Sequence, residues 1–185
     1  MAVGTFNPAA AATTGIVVTR KKPGHFVALT EDGRIDAVLA QNGKLPDLLE
    51  KRTAINVNNA QQGPNDGSSL APAGGVKNVD PYDITVAMPA EDGEPVVSDA
   101  DRDAWSKFRV AWDVTLTATP FTITGVLLLL PSQDPMSLTE RGTELFLPVF
   151  APSVQVGGVT LRDTPRDAIL VNRSHLRRVN ANMRR

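Results

Sequence analysis

Phe108-Arg109-Val110-Ala111-Trp112-Asp113-Val114-Thr115-Leu116-Thr117 decides the fold class. Phe108, Val110, Trp112, Val114 and Leu116 alternate with Arg109, Ala111, Asp113, Thr115 and Thr117. Period two is the signature of a strand with one buried and one wet face. Thr119-Pro120 turns the chain into 121–130, an apolar stretch interrupted by Thr124 and Gly125 and stopped by Pro131. That stretch is far short of the roughly 20 apolar residues a membrane helix needs, so it predicts a second, buried strand.

Further strands follow in both directions. Residues 25–30 and 34–40 flank Asp32-Gly33. Asp-Gly between β-rich runs predicts a hairpin whose glycine takes a positive φ. Leu45, Leu48 and Leu49 have helical spacing, with Pro46 tolerated in a first turn. Short strands are expected at 53–57 and 81–88. Ser98 with Asp101 three positions on is an N-cap signal for a helix reaching about residue 107. Residues 131–142 read as a loop with one helical turn. A strand over 145–156 should bend near Pro148 or Pro152, and Gly157-Gly158 turns again. The last strands fall at 168–172 and 176–179.

The organisation expected is a flexible arm (1–14), a first β-rich module (15–59), a linker or mobile loop (60–78), a second β-rich module (79–179) and a basic tail (180–185). Residues 60–75 carry four Gly, two Pro and two Ser and no periodicity. The modules share an order of elements, with Leu-bearing helical loops around 46–52 and 135–141, a pattern that raises internal duplication. The fold class predicted is mainly β: small barrel-like or sandwich-like antiparallel sheets with two or three short helices.

Composition narrows the function classes. The 185 residues hold 19 Lys+Arg against 20 Asp+Glu, a net charge of −1 that excludes bulk attraction to nucleic acid or anionic membrane. The absence of cysteine excludes disulfides, thiolate metal sites and a Cys nucleophile. A hydrophobic share of 42% is enough for a core. With no signal-peptide pattern and no membrane span, the expected location is cytoplasmic.

Val27-Ala28-Leu29-Thr30-Glu31-Asp32-Gly33-Arg34 resembles the opening motif of the Sm-like small barrels, with one extra residue. Ile169-Leu170-Val171-Asn172-Arg173-Ser174-His175-Leu176 resembles their closing strand, with Ser174 where the family has Gly. The resemblance implies a bent five-stranded open barrel whose edges join into rings, and RNA as a partner. It aligns Met136 and Ser137 with a base-reading loop. The stacking aromatic of that loop is missing, and Ser stands for Asn.

No catalytic signature occurs. His25 and His175 are the only histidines and have no metal-ligand spacing. Asp99-x-Asp101-x-Asp103 imitates a calcium loop but has Ala104 at its sixth position and Val110 at its twelfth. Phosphate-loop, dinucleotide and nucleophile-elbow motifs are absent. The sequence therefore calls for no catalytic residue, no cofactor and no metal, and an enzyme reading rests only on unselected carboxylates.

Charge layout is the most specific feature. Asp80, Asp83, Glu91, Asp92, Glu94, Asp99, Asp101 and Asp103 are offset by Arg102 alone, whereas Arg173, Arg177, Arg178, Arg184 and Arg185 form an acid-free C-terminus. These are the candidate interaction residues. They point to a non-catalytic interaction or assembly protein that self-associates through strand edges and complementary charge, as in a larger particle. The alternative is an Sm-like RNA-binding regulator.

Overall fold

The structure is a computed structural model that describes residues 24–184 apart from 141, 163 and 166. The expected arm 1–14, the start of the first module (15–23) and Arg185 lie outside the described residues. In chain order the strands are β1 (His25–Thr30), β2 (Arg34–Leu39), β3 (Ile55–Gly63), β4 (Ala71–Pro72), β5 (Asn78–Val79), β6 (Ile84–Pro89), β7 (Val110–Ala118), β8 (Phe121–Leu129), β9 (Phe146–Val156), β10 (Val159–Thr160), β11 (Ala168–Asn172) and β12 (Arg178–Met183). Helix α1 (Leu45–Glu50) follows β2 and α2 (Asp99–Phe108) precedes β7; 3-10 turns occupy Pro135–Thr139 and Arg173–His175.

All the strands belong to one antiparallel sheet of twelve, ordered β12-β7-β8-β9-β11-β6-β1-β2-β3-β4, with β10 beside β9 and β5 beside β3. The sheet is mainly-β architecture as expected, and it is not closed. It joins the two β-rich modules instead of dividing between them, since β6 lies between β1 and β11.

The central strands are buried on both faces. On one face Val27, Leu29, Val86, Val149, Ile169 and Val171 join Phe121, Ile123 and Leu116 in a single apolar cluster to which neither α-helix contributes. Since the cluster's cover is almost wholly its own strands, with Leu138 and Leu176 at the margin, the sheet curls over this face. On the other face Phe26, Ala28, Phe146, Phe150 and Leu170 pack beneath Leu45, Leu48 and Leu49 of α1. Full burial of an Ile or Leu contributes about 2–3 kcal/mol, which makes these two clusters the main favourable term in folding.

The alternation in β7 sets Val114, Leu116 and Ala118 inward. Thr119-Pro120 is a cis peptide in the β7–β8 turn. Gly125 lies where the β8–β9 register shifts, and a Cβ there would stand 2.6 Å from Val149 Cγ1 and 2.7 Å from the Phe150 oxygen. Opposite it β9 bends at Ala151 (φ 44°), next to the predicted Pro152. The Asp32-Gly33 hairpin forms, but Gly33 is not at positive φ; a Cβ would sit 2.6 Å from the Gly63 oxygen, so close backbone approach is what requires glycine.

Two expectations are corrected. Residues 60–78 are not a bare linker: β3 runs on to Gly63, and β4 and β5 fold back to pair with it. The pairing with β2 and β4 overrides the poor strand propensity of Asn58, Gln61 and Gln62, while Asn59 takes a positive φ (54°) where the β2–β3 register shifts. Nor is the described part of the basic tail, 180–184, without regular structure: β12 pairs with β7 from Arg178 to Met183, and the last predicted strand moves two residues later because a 3-10 turn holds Arg173–His175.

Asn172 is fully buried and spans this junction. Its Nδ2 donates to the Pro81 and Ile84 oxygens at 3.0 and 2.8 Å, and its Oδ1 accepts from Ser174 N and Oγ at 2.9 and 2.6 Å. Replacing it by Ala strands buried polar groups and should lower the unfolding free energy by about 2 kcal/mol or more. Urea denaturation checks this; a loss under about 0.5 kcal/mol, the range of an inconsequential surface change, would contradict it.

Candidate functional site

Two places concentrate functional groups: the outer edge of β12 with the acidic elements that could meet it, and a cleft around His25.

β12 ends the sheet. Arg184 N donates to Ala111 O at 2.9 Å, which makes that pair a hydrogen-bonded one in the β12–β7 ladder. Bonding alternates along an antiparallel pair, so Asn180 and Asn182 face β7, while the amides of Val179, Ala181 and Met183 point away from it. No described strand pairs with that outer side, although the 3-10 turn Pro135–Thr139 packs against β12 and Val179 is buried, which leaves Ala181 and Met183 as its accessible part. Arg177 and Arg178 are exposed at its start, and Arg184 at its end stands 3.7 Å from Asp113 Oδ1. Arg173 is not part of this row: its guanidinium donates to the oxygens of Leu138, Ser137 and Glu140 at 2.8, 2.9 and 3.0 Å, fastening the 3-10 turn.

That turn holds Met136, which is exposed, and Ser137, whose Oγ donates to Asp134 O at 2.7 Å. The structure thus places Ser137 against Arg173 and leaves Met136 exposed on the same turn.

The acidic residues separate into three groups. Asp80 accepts from Tyr82 N at 2.9 Å in a turn that includes the exposed Asp83. Glu91, Asp92 and Glu94 lie between β6 and α2. Asp99, Asp101 and Asp103 are exposed on α2, where Ser98 caps as predicted, accepting from Asp101 N at 3.1 Å. Arg102 pairs with Asp99 at 3.0 Å. None of α2's residues is fully buried; Trp105 anchors it edge-on to Phe150 at 6.2 Å, under the Arg109 guanidinium.

The cleft is the feature that sequence reasoning missed. It encloses about 1030 Å³ and is lined by His25, Arg34, Asp36, Glu91, Asp92 and Arg162, among others. His25 opens β1, diagonal to Asp36 on the paired strand. Its Nε2 lies 2.7 Å from Asp36 Oδ1, and its Nδ1 is bonded to Asp92 Oδ1. Asp92 reaches it because Ala90 N donates to His25 O at 3.2 Å and Gly93 lies so close to that oxygen that a Cβ would collide with it. Burial opposes charging of the ring, but the hydrogen bonds to Asp36 and Asp92, and their negative charge, outweigh it and raise the His25 pKa above the ordinary imidazole value. Sixty-seven residues separate His25 from Asp92, so no local spacing could have signalled the pair. His175 is satisfied separately, by Tyr82 O at 2.7 Å and Thr85 Oγ1 at 3.3 Å.

No group of three or more His, Asp or Glu among the described residues is arranged to hold a metal ion. No helix among them is long and apolar enough to cross a membrane. Compared with known proteins, the chain matches no family model, no curated protein and no solved structure.

The His25 cluster carries a pH dependence of defined sign. Because the folded pKa is raised, its contribution to stability is complete below about pH 6.5, the unfolded value, and is lost as pH rises through the folded pKa. Denaturation from pH 6 upward should show stability declining in the wild type relative to His25→Phe. Parallel profiles for the two proteins would contradict this.

Proposed function

We propose that the protein is a non-catalytic assembly component whose copies join head to tail, the basic outer edge of β12 receiving the acidic α2 region of a neighbour. The observation that carries this reading is the combination at β12 of outward-pointing amides with Arg177, Arg178 and Arg184. An edge that offers unpaired N–H and C=O groups and is flanked by cations favours a segment that carries carboxylates.

Charge also selects the mode of contact. Two β12 strands paired about a two-fold axis at Ala181 would set Arg178 directly opposite Arg184 of the other copy, and like charges so placed are destabilising. An isologous dimer through this edge is therefore disfavoured. The acidic face of α2, held only by Trp105 on its inner side, offers Asp99, Asp101 and Asp103 to the edge. A heterologous contact of this kind repeats, giving a ring if the rotation closes and a filament if it does not. A structural role in a larger particle is consistent with such repetition.

Light scattering after size exclusion should show association at low ionic strength that weakens toward 1 M salt, where the Debye length falls to about 3 Å. Reversal of Arg177, Arg178 and Arg184 to Glu should weaken it by about tenfold or more, at up to ~1 kcal/mol per exposed pair. Lys in place of Asp99, Asp101 and Asp103 should restore contact with the reversed copy. A wild-type monomer at low salt and high concentration would overturn the reading. So would RNA binding lost in the arginine variant while the chain stays monomeric.

A further inference from the structure

We propose that Asn42 is a site of spontaneous covalent modification, at which the Gly43 backbone nitrogen displaces the side-chain amide and water opens the resulting ring to aspartate and isoaspartate.

The chemistry sets several conditions at once. The nitrogen of the following residue must reach the asparagine Cγ, an approach that a side chain on that residue obstructs. That nitrogen must not be held in a hydrogen bond, and the asparagine amide must be free to turn toward it. Asn42-Gly43 is the only Asn-Gly in the chain. Both residues are exposed and lie in the turn between β2 and α1. Among the described residues, neither the Gly43 amide nor the Asn42 side chain has a hydrogen-bond partner.

The turn itself demands the glycine that makes the attack possible. Gly43 has a φ of 133°, which residues with a side chain rarely adopt, and a Cβ there would stand 3.2 Å from Leu48 Cδ2. The chain is fastened on either side of 41–43: Ala40 N donates to Asn56 O at 2.9 Å, and Leu48 N to Lys44 O at 3.1 Å.

The other described asparagines fail one or more of the conditions. The amide after Asn56 donates from Val57 to Lys77 O at 2.9 Å, and the amide after the buried Asn172 donates from Arg173 to Leu145 O at 2.7 Å. Asn65 is held by Thr30 O at 2.8 Å. Asn58, Asn59, Asn78, Asn180 and Asn182 lie in strands, each before a residue that carries a side chain.

Water is the only co-reactant. The bond from Gly43 N to Asn42 Cγ forms as the bond from Cγ to the amide nitrogen breaks. Hydroxide or water draws off the Gly43 amide proton, a proton is returned to the leaving group, and ammonia departs. Water then adds to one of the ring carbonyls. Addition at Cγ restores the backbone with an aspartate side chain. Addition at the α-carbonyl leaves the chain running through the former side chain, one methylene longer. Either product places a new negative charge before α1, and the longer backbone must be taken up between the ties at Ala40 and Lys44. This holds for a single chain, independently of whether copies associate.

The test is incubation of the folded protein at mildly alkaline pH, then digestion and mass spectrometry against an unincubated control. Cleavage after Arg34 and Lys44 isolates residues 35–44, which contain no other asparagine. This peptide should gain the mass difference between an amide and an acid, and separate into species of equal mass with isoaspartate in excess. Its rate should lie within a few-fold of that of the free 35–44 peptide and exceed several-fold that of every other asparagine in the protein. Asn42→Gln should abolish the change. Conversion many-fold slower than in the free peptide, or faster at another asparagine, would overturn the proposal.

Discussion

The structure depends on burying the central strands β9, β11, β6 and β1 on both faces. Their side chains alternate between two apolar clusters, so each residue of a run such as 168–171 has a core to enter. One cluster is covered by the curl of the sheet itself and the other by α1, β3 and the Trp105 side of α2. Removing either cover would expose half of every central strand. Polar groups caught at this junction are matched accordingly: Asn172 uses its amide fully, and Glu50 accepts from the amides of Leu145 and Phe146 to fasten α1 to β9.

The same arrangement pushes function to the periphery. Strands paired on both sides and covered on both faces have nothing to offer a partner. What remains is the two ends of the sheet, at β12 and at the short, exposed β4, the lightly held α2 and the cleft at the start of β1. The near-zero net charge conceals that these places differ in sign. Arg177, Arg178 and Arg184 gather at one edge, and Asp99, Asp101 and Asp103 project from a helix. Arg173, which by sequence belongs with the basic group, is consumed by three backbone oxygens.

Much of the fold was legible where local pattern and tertiary environment agree. The alternation of β7 from Val110 on, the Ser98 cap and the apolar runs of β1 and β11 led to the observed elements, whereas Phe108, read as the first buried residue of that strand, ends α2 and is exposed. β3 beyond Val57 was hidden because Asn58 and Gln61 have weak intrinsic strand preference; their strand is imposed by neighbours from elsewhere in the chain. The segment after Val179 read as a basic tail for a similar reason, since nothing local announces that β7 will pair with it. The cleft was illegible for a different one. His25, Asp36 and Asp92 are unremarkable in sequence, and only the β1–β2 register and the β6–α2 turn bring them together.

Head-to-tail joining at β12 makes a claim about individual amides. Hydrogen exchange at low salt, measured across a concentration series, reads it directly. Asn180 and Asn182 should be protected at every concentration by their bonds to β7. Ala181 and Met183 should exchange freely when dilute and gain protection as copies associate. Persistently fast exchange at those two amides, at concentrations where the protein is demonstrably oligomeric, would contradict the account.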